Sequence, residues 1–352
     1  MKTICSKIML FLLIVPSFLI AGNGNPGKYS KEKKIEKTYL VNPDAHLEVS
    51  NSFGNIYVTT WNEAKTAIEV FIKVSGNNEA AVNKRIEAIR IDLEALKNRI
   101  TATTVLDKMG ESKSNLSIEI NYTIKIPKNG SVKLANKFGN ITVDKLLAEA
   151  NINCRYGKLT ANELLGSRNT IEISYSSAST IGYLKEGVLT ANYSDFTLNK
   201  SDKLNLVNNY TQAKIKEVNV LDFKSKYGGL TIGSADLVKG DGDYTTMVFG
   251  QLSKDIALTS DYGQITINGI EAKANNVSII SRYTGITIGH ADNYPFNYNF
   301  ELTYADLTDN SDLDANKTTV KNTTTYTGFY KKSGANTMTI KSTYGNVKIM
   351  KM

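Results

Sequence analysis

Apolar and polar residues alternate along most of this chain, and at regular intervals the alternation is interrupted by an aromatic residue followed by a small one. Leu134-Ala135-Asn136-Lys137-Phe138-Gly139-Asn140-Ile141-Thr142-Val143 is a clear copy of the pattern. With the aromatic at position zero, copies centre on Phe53, Phe138, Tyr156, Tyr175, Tyr193, Tyr210, Tyr227, Tyr244, Tyr262, Tyr283, Tyr304, Tyr326 and Tyr344. From Phe138 onward they are 17 to 22 residues apart. The position after the aromatic is always small, as at Gly139, Ser194 and Thr211, and the third after it is always apolar, as at Ile141, Leu159 and Ile265. The fourth before it is apolar in eleven of thirteen copies, Gly240 and Asn322 being the exceptions. A self-similar period of this length is the signature of a solenoid.

Strand side chains alternate between two faces. Apolar residues fall on even offsets before the aromatic and on odd offsets after it, so a bend separates two strands in each copy. The Gly-x step is the expected source of that bend, because glycine reaches backbone conformations closed to other residues. On this reading each copy is strand, corner, strand. Equivalent strands of successive copies pair about 4.8 Å apart, and the aromatic column points into the core.

The fold expected is all-β: a β-solenoid with about 17–22 residues per rung and a β-rich N-terminal region containing one short helix. Four segments follow. Residues 1–21 read as a signal peptide, with Lys2 and Lys7 before the apolar run Ile8 to Ala21. Residues 22–38, rich in Gly, Asn and Lys, read as a flexible leader. Residues 39–130 form the N-terminal β-rich region, or cap, and residues 131–352 the regular repeats. Within the cap, Ile68, Val70, Ile72 and Val74 alternate as in a strand, and Val82, Ile86 and Ile89 have helical spacing behind a candidate cap, Asn78. Ala95 to Arg99 reads as a hairpin loop, and Leu116 to Ile126 alternates strictly up to Pro127.

The segments Ser52-Phe53-Gly54-Asn55-Ile56, Asn121-Tyr122-Thr123-Ile124-Lys125-Ile126-Pro127, Asn136-Lys137-Phe138-Gly139-Asn140-Ile141 and Ser225-Lys226-Tyr227-Gly228-Gly229-Leu230 resemble the exported bacterial "putative adhesin" family. That family is related to the head GIN domain and is common in Bacteroidetes. The resemblance spans nearly the whole mature chain. It implies a single-chain, right-handed, β-helix-like solenoid and carries over no functional residue.

Composition narrows the function classes. The formal charge is +8, and removing Lys2 and Lys7 leaves +6, with lysine and aspartate interspersed. This is a solvated surface and not a nucleic-acid footprint. Beyond the leader, no stretch is long and apolar enough to span a bilayer, and Cys154 is the one cysteine, which excludes an internal disulfide. It is expected to be a buried, inert thiol. The chain has no P-loop, HExxH, paired CxxC or nucleophile-elbow serine, and its two histidines, His46 and His290, are far apart. No catalytic, cofactor or metal residue is assigned. Gly240-Asp241-Gly242-Asp243 is a weak calcium pattern, since calcium-binding repeats need such turns in series. The expected role is a non-catalytic adhesin or envelope scaffold, periplasmic, cell-surface or secreted, whose partner is an envelope polymer, glycan or protein. The rival is a polysaccharide lyase or hydrolase with its site around residues 233–245 or 289–318. Against it, Asp195 and Asp306, in the exposed column two after the aromatic, are six copies apart in chain order.

Overall fold

The computed structural model describes residues 27–107, 115–308, 313 and 315–352. The proposed signal peptide lies outside them, as does part of the 289–318 segment. The described chain is almost entirely β, with one α-helix, Glu79–Glu87. Asn78 caps that helix by accepting the Ala81 N–H, and Val82 and Ile86 bury its inner face.

The strands that precede the aromatics pair with one another, and so do those that follow. The first ladder runs in parallel from His46–Ser52 through Val132–Lys137, Ala150–Arg155 and Asn169–Ser174 onward, with Lys133 beside Asn151 and Asn151 beside Thr170. The second runs from Ile56–Trp61 through Ile141–Leu146 and Leu159–Leu164, with Ile56 beside Ile141 and Ile141 beside Leu159. Long strands such as Asp195–Asn209 and Gln212–Leu252 join the two ladders into one hydrogen-bonded sheet. Leu204, Leu206, Ala213 and Ile215 show how a copy fills the core: all are buried, at the offsets the alternation marked.

Two features depart from chain order. The His46–Ser52 strand lies between Arg99–Leu106 and Val132–Lys137, so the first copy is flanked on both sides by later segments. At the other end, Asn336–Thr343 lies between Val277–Arg282 and Phe296–Thr303. The Tyr344 copy therefore sits inside the stack, ahead of the Tyr304 copy. The Tyr326 segment is not a copy at all. It belongs to Thr323–Tyr330, which runs antiparallel to Phe296–Thr303 and buries the ring of Tyr326.

Antiparallel strands finish both ends. Ile89–Leu96 closes the first ladder against Arg99–Leu106, with a two-residue connection inside the expected hairpin loop. Tyr29–Leu40 and Lys65–Gly76 extend the second ladder beyond Leu116–Pro127. Much of the stretch expected as a flexible leader is thus a 12-residue edge strand. Asn316–Val320 and Thr323–Tyr330 close the C-terminal side.

Candidate functional site: the aromatic edge

The aromatic column does not point inward. Twelve rings, from Phe53 to Tyr304, stand on the outer corner between the ladders and are 38–54% exposed. The cause is in the backbone. All twelve have φ between 48° and 64°, the left-handed region, which costs an L-residue with a Cβ about 1–2 kcal/mol. A left-handed residue turns the chain and resets the parity of alternation, so the aromatic itself makes the bend and its side chain is thrown outward.

The small residue after it has another task. At Gly139 and Gly157 φ is not positive. A Cβ on Gly139 would lie 1.8 Å from the Gly54 carbonyl oxygen, and one on Gly157 would lie 1.9 Å from that of Gly139. Glycine is needed there because adjacent backbones approach closely at the corner. Where serine or threonine replaces it, the hydroxyl bonds the corner internally. Thr211 Oγ1 donates to the Asn209 carbonyl and accepts the Ser194 N–H.

The rings form one continuous stack, in the order Phe53, Phe138, Tyr156 and so on to Tyr283, Tyr344 and Tyr304. Centroids are 4.7–5.3 Å apart and planes within 18° of parallel. Each contact of this kind contributes about 0.5–1.5 kcal/mol, which offsets much of the backbone cost. Between the end rings Phe53 and Tyr304, neighbours cover both ring faces, so solvent meets ring edges and phenol hydroxyls. Polar columns flank them. Asn55 Oδ1 accepts the Asn140 N–H, and Asn140 Oδ1 accepts the Lys158 N–H. Asn209 donates to Asn192 on the opposite flank. Lys137 lies 4.8 Å from the Phe138 centroid, and Arg155 lies 5.1 Å and 5.7 Å from those of Tyr156 and Tyr175. Further along, Lys226 pairs with Asp243 and Arg282 with Asp261. The hydrogen bond from Arg282 holds the Asp261 carboxyl below its ordinary range.

The other sequence candidates fall apart from this edge. Cys154 is fully buried behind it, and burial pushes its thiol up to about 11. His46 bonds Ser131 Oγ through Nδ1 at 2.8 Å; burial, then the nearby Arg99, lowers its pKa. His290 is buried at the C-terminal end, edge-on to Phe296 and Tyr330. Gly240-Asp241-Gly242-Asp243 lies within a strand and makes no turn. Its glycines face the core, where a Cβ at 240 would meet the Phe223 ring at 2.0 Å and one at 242 the Met247 side chain at 2.7 Å. Phe223 takes the room that Gly240 vacates, which explains the missing apolar residue in that copy. Over this spot the outer face carries a shallow depression of about 360 Å³, bordered by Asp222, Lys224, Lys239, Asp241 and Ile280. By repeat position each aspartate there neighbours a lysine. Asp195 and Asp306 are seven steps apart along the ring stack, one more than chain order gives, because the Tyr344 copy intervenes. Among the described residues no three of His, Cys, Asp and Glu gather as metal ligands, and no helix is long and apolar enough to cross a membrane.

No family model and no curated protein matches the chain. Solved structures do. A putative cell adhesion protein from Clostridium sporogenes is 12% identical, covering 91% of this chain and 100% of its own, at a TM-score of 0.17. A putative adhesin from Parabacteroides distasonis is 10% identical, over 90% of this chain and 97% of its own, with a TM-score of 0.30. One from Bacteroides fragilis is 13% identical, over 92% and 99%, with a TM-score of 0.20.

Proposed function

We propose that this chain is an exported, non-catalytic, right-handed β-solenoid that binds a polymer or protein of the cell envelope along its aromatic edge. Parallel pairing of successive copies supports the coil. Its hand rests on the strong right-handed preference of parallel crossovers, and export rests on the leader at residues 1–21. One observation carries the binding role. Twelve corners hold a bulky aromatic in a conformation that suits glycine or asparagine, and every ring is turned toward water. Stacking alone would be served by phenylalanine, yet ten of the twelve are tyrosine, so the edge is a row of hydroxyls as well as of rings. Strained backbone repeated at one exposed line is a reason to look for function there. The long, shallow shape favours an extended partner over a small substrate. Protease shaving of intact cells followed by fractionation tests the reading. Loss of the protein on shaving is expected. Full protection with recovery in the periplasmic fraction would remove the adhesin role.

A further inference from the structure

The charge along the aromatic edge is uneven. In the column that precedes the rings, neighbouring charges of opposite sign pair at Lys226–Asp243 and Asp261–Arg282. At the N-terminal part of the same column, Lys137 and Arg155 stand directly beside each other in register. Lys158 adds a third cation on the far side of the Tyr156 ring. All three are exposed, and none has a carboxylate at salt-bridge distance among the described residues. Neither strand that carries Lys137 and Arg155 holds an acid, and the one acid of the adjoining strand Asn169–Ser174, Glu172, is engaged by Asn153. Like charges side by side on a strand pair are destabilising, so this spot is held at a cost that an anion would relieve.

Resting on the envelope-binding reading, we propose that the edge from Phe138 to Tyr175 docks an acidic glycan, a polysaccharide bearing carboxylate or sulfate groups, through Lys137, Arg155 and Lys158. Three features select this partner. The cations supply charge-assisted hydrogen bonds to its anionic groups. Within this segment the Tyr156 and Tyr175 hydroxyls, the Asn140 amide and the Ser174 and Ser177 hydroxyls stand among the cations and suit a chain of hydroxyl-rich rings, while the absence of a deep seat disfavours a free monosaccharide. Single-stranded nucleic acid needs open aromatic faces on which bases stack, and here neighbours cover those faces. Duplex DNA needs a longer cationic stripe than two copies provide.

Calorimetric titration of the mature chain tests this with three probes: an alginate hexasaccharide, the neutral cellohexaose, and vesicles rich in phosphatidylglycerol. The triple variant K137Q/R155Q/K158Q is compared with K31Q/K33Q/K37Q, which removes the same charge from the remote edge strand Tyr29–Leu40. Binding to the acidic hexasaccharide alone is expected, weakened at least tenfold in the first variant and unchanged in the second, with circular dichroism verifying the fold of both. Equal loss in the two variants would reduce the effect to net charge and overturn the proposal. So would absence of acidic-glycan binding, equal binding of cellohexaose, or preference for the vesicles. Shaving of cells that carry the first variant separates the two readings. A protein still displayed at the surface leaves the envelope role standing whatever the titration shows.

Discussion

Replacing Tyr227 tests whether stacking outweighs backbone strain at the corners. Its ring is 46% exposed and lies between Tyr210 and Tyr244, 4.9 Å from each. An aromatic side chain buries about 150–250 Å² when fully enclosed, so half-burial removes about 80–130 Å² from water. At about 25 cal/mol per Å² this is worth about 2–3 kcal/mol. The two stacks add about 1–3 kcal/mol. Tyr227→Gly forfeits both contributions. It recovers about 1–2 kcal/mol of left-handed strain but loses about 0.5–1 kcal/mol to the freedom of glycine in the unfolded chain. The net loss is about 2–5 kcal/mol. Tyr227→Ala loses the ring and keeps the strain at φ 53°, so it falls below the glycine variant by about 1 kcal/mol. Tyr227→Phe keeps the stack and stays within about 0.5 kcal/mol of the parent. Urea unfolding followed by circular dichroism reads the series. Tyr304, at the end of the stack, has one ring neighbour, and its glycine variant should lose less by about one stack. A series in which alanine matches or exceeds glycine, or in which phenylalanine loses as much as glycine, would refute the reasoning.

Gly139→Ala should lose about 1–3 kcal/mol or more, because its methyl meets the Gly54 carbonyl at 1.8 Å; a urea midpoint equal to the parent's would contradict the close approach. Cys154, buried and pushed up to about 11, should leave the folded mature chain inert to a thiol reagent and titrate as one thiol in urea; rapid labelling under native conditions would place it at the surface. His46 has a folded pKa below its ordinary 6.5. Above that value both states are neutral and it contributes no pH dependence; as pH falls below about 6.5, the unfolded chain takes up a proton that the folded chain resists, so stability drops. His46→Gln should flatten that part of the stability–pH curve, and an unchanged slope would assign the effect elsewhere.

Alternation carried most of the fold into the sequence. The buried offsets from six before to five after each aromatic, the helix behind Asn78 and the two strands of each copy lie where the apolar pattern puts them, whereas the buried column eight after the aromatic, as at Leu146, Leu164 and Val218, breaks its parity. The ring direction was not legible, because parity extrapolated to position zero points inward, whereas one left-handed residue breaks parity at that position. The signal was present but ambiguous. Tyrosine outnumbering phenylalanine favours a wetted position, yet a column of aromatics is equally the mark of a core. Nor was the order of copies legible. Tyr326 mimics the motif by its spacing and is flanked by threonines, but Asn322 takes the place of the apolar residue four before it and Lys331 that of the one five after it. Those two breaks are the trace of an antiparallel closing strand. The cationic stretch around Phe138 needed the register, since Lys137 and Arg155 are 18 residues apart in sequence and side by side in the sheet.

The ends of the ladders explain why interaction is expected along the side. In a stack assembled strictly in chain order, the last copy touches one neighbour and can fray. Here the Leu47–Val58 copy is held between segments reaching residues 99–126 and 132–143. The Tyr344 copy is likewise held between the Tyr283 and Tyr304 copies. Neither can leave without breaking long-range pairings on both sides. Beyond them the edges are made unattractive to another strand. On Tyr29–Leu40, Lys31, Lys33 and Lys37 lie opposite the buried Val74, Ile72 and Ile68, so the edge strand carries charge on the face that would otherwise continue the core. Inward charge of this kind discourages edge-to-edge pairing. Asn316–Val320, at the other end, is exposed throughout and bears Asn316, Lys317 and threonines. Closure at both ends disfavours end-to-end fibres. The aromatic corner, by contrast, runs unbroken through twelve copies, and it is there that the proposed binding role places the partner.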